Sequence, residues 1–540
     1  RWVKQALDQL TNEVPEVLPL GVRETWELVG RREAIRSYHF PASEAELRLA
    51  RRRLVFEEFF GLQVALAQRR HEYDHRGHGI AFKTDSALTA QLHRSLPFEL
   101  TDAQQRVLQE IRRDLAQPRP MNRLVQGDVG SGKTLVALSA MLTVVDNGYQ
   151  AALMVPTEIL AEQHHRVLRH WCEPLGVSLD LITGRAGSKQ RRESQARLSQ
   201  GETQIAVGTH ALIQEGIDFD HLGLVVVDEQ HRFGVLQRKL LSGKGETPDV
   251  LVMTATPIPR TLALTVYGEL DVSVIDELPR GRTPIVTEWY PLGKRRELYS
   301  QIKERLRAGR QAYVVCPLVE ESEALEDVEA ATAMAEHLRE HFKGFEVGLI
   351  HGRLKPAEKD EVMLRFRAGK IDLLAATTVI EVGIDVPNAT IMLIVNADRF
   401  GLAQLHQLRG RVGRGAHESQ CYLLTDARYN PELAEDESSL QYRDARARMR
   451  FLRDYSDGFR LAEADLELRG PGELGGTRQS GSLDFRVANL ASDGRLLEDA
   501  RTAAQKLVKD DPHLALADHA ALARFVAARY RDRGQLAEVG

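Results

Sequence analysis

Val55, Phe59, Leu62 and Leu66 recur at spacings of four, three and four within a stretch otherwise rich in Arg and Glu. That interval predicts a single apolar stripe along a helix. Ser43 stands three positions before Glu46, the spacing of a capping box that would open such a helix. Near residue 100 the pattern changes. Short apolar runs at 122–126, 151–155, 203–207, 222–227 and 251–254 alternate with helical stretches. After the turn-rich segment 278–284 the alternation restarts, with runs at 311–316, 346–350, 371–375 and 390–395. Strands alternating with helices predict parallel sheets covered by helices on both faces. The coarse expectation is two consecutive α/β units, preceded by a helical, charged region. An arginine-rich stretch and then a glycine-rich one follow from about residue 430.

Composition narrows this only a little. Of 540 residues, 43% are hydrophobic, enough to build several buried cores. No apolar run is long enough to cross a membrane. A net charge of −5 gives no bulk attraction to nucleic acid, so any such contact must come from local basic patches. Cys172, Cys316 and Cys421 lie far apart, without disulfide or metal-ligand spacing, which points to a reducing compartment. His71, His75 and His78 cluster without a carboxylate or thiol framework and read as a solvated loop. The chain starts at Arg1 rather than Met and carries no signal pattern, so it reads as part of a longer protein.

Specific chemistry begins at Gly127, Asp128, Val129, Gly130, Ser131, Gly132, Lys133 and Thr134, the pattern GxxxxGKT between an apolar run and a helix-like stretch. Glycines let main-chain N–H groups curl around phosphate oxygens, and the helix N-terminus adds partial positive charge. Lys133 is the candidate for the β- and γ-phosphates and Thr134 for Mg²⁺. Asp228 and Glu229 follow the apolar run 222–227. An acidic pair at the end of a buried strand can meet the same metal: Asp228 through its coordination shell, Glu229 by activating the attacking water. A chance glycine turn or an exposed acidic turn would explain either motif alone, but not both in this order.

The remaining blocks resemble the superfamily 2 helicases, in order and across nearly the whole α/β region. FELTDAQ (98–104) looks like an adenine-reading segment, with Gln104 as reader. PTEILAEQH (156–164), with Pro156, Thr157 and Glu158, and GTHAL (208–212), with Thr209 and His210, look like loops that touch the nucleic-acid backbone. Thr254 and Thr256 of TAT resemble the element coupling hydrolysis to lobe movement. ATTVIEVGIDVPNA (376–389), with Thr377 and Asp385, and QLRGRVGR (407–414), with Gln407, match the fifth and sixth motifs. By resemblance Arg411 and Arg414 are arginine fingers, whose guanidinium groups stabilise the charge of phosphoryl transfer. DEQHRFGVLQR (228–238) and DLELRGPGELGGTRQSG (465–481) are similar to the RecG family specifically. The second belongs to a translocation motif shared with the transcription-repair coupling factor, Mfd, in which a helical hairpin and a following loop turn lobe closure into DNA movement. Arg448 matches the hairpin, and Arg469 and Gln479 the loop. Arg446, Arg450 and Arg453 share one helix face, for which a plainly solvated charged face is the alternative.

The resemblance implies a fold class: α/β, with two tandem RecA-like P-loop domains, an N-terminal helical linker and a C-terminal helical hairpin. The expected boundaries are 1–97 for the linker, 98–280 and 281–428 for the RecA-like domains, and 429–540 for the translocation region. The family's wedge domain precedes the motor, and the first hundred residues here read as helical rather than as that domain. Implied cofactors are ATP and Mg²⁺. Implied partners are DNA, as duplex, forks and four-way junctions, and a single-strand-binding protein. The implied setting is a monomer in the bacterial cytoplasm, with 3′→5′ polarity. An Mfd-like translocase acting on RNA polymerase, or a non-catalytic ATP-gated binding module, are the alternatives. Retention of Lys133, Glu229, Arg411 and Arg414 argues against the second.

Overall fold

The computed structural model describes residues 5, 7, 14–75, 79–184, 188–213, 217–228, 248–255, 257–266, 270–279, 284–317, 326–377, 386–413, 415, 417–429, 440–469 and 485–531. A 32-residue helix, α1 (Glu44–His75), opens where the capping pattern places it, with the Glu46 amide donating to Ser43 Oγ at 3.2 Å. Only that half of the box forms. The Glu46 carboxylate instead accepts from the Ala42 amide (2.7 Å) and from the Ser37 hydroxyl. The predicted stripe is buried: Val55, Phe59, Leu62 and Leu66 pack in one core with Leu497, Ala504, Leu507 and Val526. The N-terminal and C-terminal helical regions therefore share a hydrophobic interior. His71 and His75, expected in a loop, lie on the last turns of α1, and His78 lies outside the described residues.

The first α/β lobe is a seven-stranded parallel sheet. Its strands are β1 (Asn122–Gly127), β2 (Gln150–Met154), β3 (Leu179–Ile182), β4 (Ile205–Gly208), β5 (Leu222–Asp228), β6 (Asp249–Thr254) and β7 (Asp271–Ile275), in the order β3-β4-β2-β5-β6-β1-β7. Three helices position its functional loops: α2 (Asp102–Leu115), α3 (Lys133–Asp146) and α4 (Glu158–Cys172). Interior strands are apolar on both faces, as parallel sheets flanked by helices require. β3 and β7 extend the five strands expected from the sequence. Both are sheet edges, so their residues are only partly covered and their apolar runs are broken.

The second lobe is a six-stranded parallel sheet of β8 (Val286–Pro291), β9 (Gln311–Val315), β10 (Val347–Ile350), β11 (Leu373–Ala376), β12 (Ala389–Val395) and β13 (Gln420–Thr425), ordered β10-β11-β9-β12-β13-β8. β8 and β13 go beyond the expected four. After β12 the chain turns through Asn396, in the left-handed region at φ 50°, and reaches α5 (Leu402–Arg409). A helical hairpin follows, α6 (Leu440–Asp454) and α7 (Gly458–Arg469), joined by a three-residue corner at 455–457. The three cysteines are buried and free, with thiols pushed up to about 12 by burial. No helix among the described residues is long and apolar enough to cross a membrane.

Candidate ATP and nucleic-acid site

Parallel sheets gather their functional loops at the carboxyl ends of the strands. Register places those ends side by side here: Gln126 of β1 pairs with Thr254 of β6, and Asp228 of β5 pairs with Met253. The P-loop leaves β1 at Gly127 and enters α3 at Lys133. Gly132 holds φ 87° at the helix entrance, and a Cβ there would lie 2.3 Å from Gln104 Nε2. A Cβ on Gly127 would lie 2.4 Å from Ser131 Oγ. Gly130 holds φ 80°. The glycines are thus required by backbone sign and by close approach.

Lys133 is buried and its ammonium donates to the carbonyls of Gly127 (2.7 Å) and Asp128 (2.9 Å), so the loop is curled around its own lysine. Ser131 Oγ is buried with no hydrogen-bond partner among the described residues. An orphaned hydroxyl inside a glycine cradle, beneath a buried ammonium, fits an anionic oxygen ligand. Gln104, the expected adenine reader, has two local tasks. Its Oε1 accepts from the Thr101 amide (2.9 Å), completing a capping box with Thr101 that opens α2. Its Nε2 donates to the Ser131 carbonyl (2.8 Å), bracing the P-loop from outside.

Asp228 ends β5 with its side chain largely covered, and its Oδ2 lies 3.0 Å from His164 Nε2 on α4. Thr134 occupies the second position of α3. A carboxylate and a hydroxyl are the hard oxygen donors that suit Mg²⁺. Pro156, Thr157 and Glu158 form the entry to α4. The Thr157 hydroxyl caps that helix, accepting from the Leu160 amide at 3.4 Å. Thr209 is buried, and its carbonyl accepts from the Leu212 amide (3.0 Å) in the short turn His210–Ile213; the His210 side chain lies outside the described residues. Thr254 is buried at the end of β6. Thr377 follows β11, buried, with its Oγ1 lacking a hydrogen-bond partner among the described residues.

The second lobe reaches the P-loop through α5. His406 Nε2 lies 2.7 Å from Asp128 Oδ1, across 278 positions of sequence. One turn on, Arg409 NH2 lies 2.9 Å from His406 Nδ1. The same guanidinium donates to three carbonyls at the hairpin corner: Leu452 (2.8 Å), Tyr455 (2.8 Å) and Ser456 (3.0 Å). Burial would raise the Asp128 carboxyl, but hydrogen bonds from His406 and the Val129 amide, with Lys133 nearby, hold it below the ordinary carboxylate value. Gly410 closes onto the loop as well, since a Cβ there would sit 3.2 Å from Val129 Cβ. Arg411 follows, half-buried, and Gln407 lies beside His406. His406 was not readable as a site residue from the sequence, and His164 and Arg409, though inside the segments 156–164 and 407–414, had no role of their own there, because each gains its role from a partner far along the chain.

In the hairpin, Arg448 donates to the Asp398 carbonyl at 2.9 Å, which ties α6 to the turn after β12. Arg446 is buried, Arg450 half-buried, and Arg453 exposed against its neighbour Asp454, so this arginine face is only partly solvated. Glu229, Thr256, Asp385, Arg414 and Gln479 lie outside the described residues; Arg469 ends α7 with its side chain outside them.

Two parallel-sheet lobes that meet at a P-loop, with a carboxylate at the end of β5 and an arginine-bearing helix facing the loop, define a superfamily 2 helicase motor. Known families match in the same order: DEAD/DEAH box helicase over 101–265, helicase conserved C-terminal domain over 293–416, and ATP-dependent DNA helicase RecG, domain 3, C-terminal, over 455–530. The ATP-dependent DNA helicase RecG of Bacillus subtilis is 49% identical over 95% of this chain and 73% of its own length. That of Synechocystis is 51% identical over 93% of this chain, which spans 59% of that relative. A solved structure of RecG bound to a three-way DNA junction aligns with a TM-score of 0.72 and 42% identity, over 92% of this chain and 63% of that one. The chain belongs to the RecG family of ATP-dependent DNA helicases.

Proposed function

We propose that this chain couples ATP hydrolysis to movement along duplex DNA and acts on branched structures, forks and four-way junctions, in fork reversal, recombination and repair. Lys133 and the P-loop amides take the phosphates, Thr134 and Asp228 hold Mg²⁺, and Glu229 orients the attacking water. When bound, Mg²⁺ supplies charge neutralisation at the phosphate oxygens. Arg411 and Arg414 reach the transferring group when the lobes close. Thr157, Glu158, Thr209 and Thr377 belong to the loops along the DNA track, with Arg448, Arg469 and Gln479 in the element that moves it.

The observation that carries this reading is the position of Gly458. It starts α7, and a Cβ there would lie 2.5 Å from His406 Nε2, 2.7 Å from Pro257 Cγ and 3.1 Å from Asp128 Oδ2. The hairpin thus abuts the P-loop, the segment after β6 and α5 at one point, where nucleotide chemistry can be felt by an element outside the ATP site.

Steady-state ATP turnover without DNA, with linear duplex and with three- and four-way junctions tests the reading. Turnover should rise with duplex, with little further rise at junctions, and Lys133→Ala should abolish it in all cases. Arg411→Ala and Arg414→Ala should each lower kcat by about 10³-fold while altering ATP binding far less. Turnover indifferent to DNA would remove the translocase reading.

A further inference from the structure

Asp128 does two things at once. Its main-chain carbonyl accepts from Lys133 Nζ and from the Ser131 amide (3.1 Å), while its carboxylate accepts from the Val129 amide (2.6 Å) and meets His406. Any change in where Lys133 places its ammonium therefore alters a residue that is also held from the opposite lobe. A guanidinium only donates, so His406 Nδ1 must accept from Arg409. That leaves the proton on Nε2, which donates to Asp128. The imidazole is in this way a directed bridge with one defined tautomer. His406 and Arg409 are both buried, 5% and 4% exposed, so water does not readily replace either bond. Arg409 also donates to three carbonyls within residues 452–456, which ties that stretch together as a unit. Gly458 leaves no room for slack beside the bridge.

We infer that His406 is a positioning residue that reports the state of the P-loop, read at Asp128, through Arg409 to the corner of the helical hairpin. Phosphate chemistry requires Lys133 to leave the carbonyls of Gly127 and Asp128. The Asp128 peptide then loses the partner that fixes it, and the bridge passes the shift to the carbonyls of Leu452, Tyr455 and Ser456. These three residues lie four to eight positions beyond Arg448, which anchors the same hairpin to Asp398. A contiguous set of bonds joins the P-loop lysine to the hairpin corner. The inference rests on the proposed translocase reading only for what the hairpin does afterwards.

The test reads the bridge without DNA. Amide hydrogen exchange across 452–458 is measured with and without Mg²⁺ and a non-hydrolysable ATP analogue, for the wild-type chain, His406→Ala and His406→Gln. A Gln amide can reproduce both bonds, its N–H reaching Asp128 and its carbonyl accepting from Arg409. The analogue should change exchange at the corner of the wild type by about tenfold or more, the scale of typical site-to-site coupling. His406→Ala should lose that response although the analogue still binds, and His406→Gln should regain much of it. In a second arm, third-strand displacement per ATP hydrolysed on duplex DNA should fall far more in His406→Ala than turnover itself, and recover in His406→Gln. An unchanged exchange response in His406→Ala, a His406→Gln variant no better than Ala, or no response in the wild type would each overturn the inference. Failure of the displacement arm in the wild type, with the exchange response intact, would instead count against the translocase reading.

Discussion

His164 Nε2 lies 3.0 Å from Asp228 Oδ2, so the helix that begins at the candidate DNA-contact residues Pro156–Glu158 is fastened to the acid at the end of β5. A partner of this kind sets the orientation of a metal-holding carboxylate, and its loss typically costs about 10- to 100-fold in metal affinity. His164→Ala should therefore raise the Mg²⁺ needed for half-maximal turnover by about tenfold or more, and weaken Mn²⁺ binding followed by electron paramagnetic resonance. Unchanged Mn²⁺ affinity would show that the imidazole is a passive neighbour.

Glu58 on α1 anchors the chain just past the segment proposed as the translocation loop. Its carboxylate accepts from three consecutive amides, those of Arg486, Val487 and Ala488, at 3.0 to 3.1 Å, and pairs with Arg529 at 3.2 Å. Further along the same helix Gln63 donates to the Leu264 carbonyl (2.9 Å) and Arg70 pairs with Asp271 (2.6 Å), both in the first lobe. α1 thereby links the segment after that loop to the first sheet. Glu58→Ala removes the acceptor of all three amides, and the one at buried Ala488 is left unsatisfied at about 1–3 kcal/mol, the partly covered pair costing less. Exchange at amides 486–488 should accelerate strongly, and displacement per ATP should fall. Glu58→Gln, which keeps one carbonyl oxygen, should be milder. Undiminished protection in Glu58→Ala would mean that the segment is held by its apolar neighbours alone.

Asp249 starts β6 fully buried. One oxygen accepts from the Met121 amide at 2.5 Å and the other has no hydrogen-bond partner among the described residues. Burial pushes its carboxyl well above the ordinary value, and Asp114 adds to the rise. A folded-state value above the unfolded one means the ionised form is penalised in the fold, so stability grows as pH falls through the folded value toward the unfolded one. Asp249→Asn keeps the acceptor for Met121 and removes the charge. It should melt higher than wild type at about pH 8, with the advantage shrinking toward about pH 5. A lower melting temperature at the higher pH would show that the charge is compensated.

The sequence revealed the parts of this molecule whose chemistry is local. The glycine pattern around Lys133 is a statement about backbone signs and phosphate geometry within eight residues, and it holds in the fold. Interior strands were legible because both faces are buried, as in β5, where the apolar run Leu224–Val227 is continuous. β3, β7 and β8 were not, each being a sheet edge with one flank uncovered, although the edge strand β10 was among those expected. β13 departs from the pattern in the other direction, an interior strand with a continuous apolar run at 421–424 that lies just after the arginine motif and was not among the expected strands. The couplings were illegible in principle. His406 sits next to Gln407 in a recognisable motif, yet its partner Asp128 is 278 positions away, and nothing local distinguishes it. Glu58 reads as one more charge on a helix, and only the fold brings the amides of 486–488 onto it.

The most direct measurement follows ATP turnover and third-strand displacement on linear duplex in one reaction, for the wild-type chain and Arg448→Ala. Arg448 holds α6 to the carbonyl of Asp398 and lies outside the P-loop, so its loss should leave DNA-stimulated turnover largely in place. The wild type should displace the third strand in an ATP-dependent way, while Arg448→Ala hydrolyses ATP and displaces about tenfold less per ATP. If turnover and displacement fall in strict proportion, or if the wild type hydrolyses ATP with DNA and moves nothing, the hairpin does not convert the ATP cycle into movement.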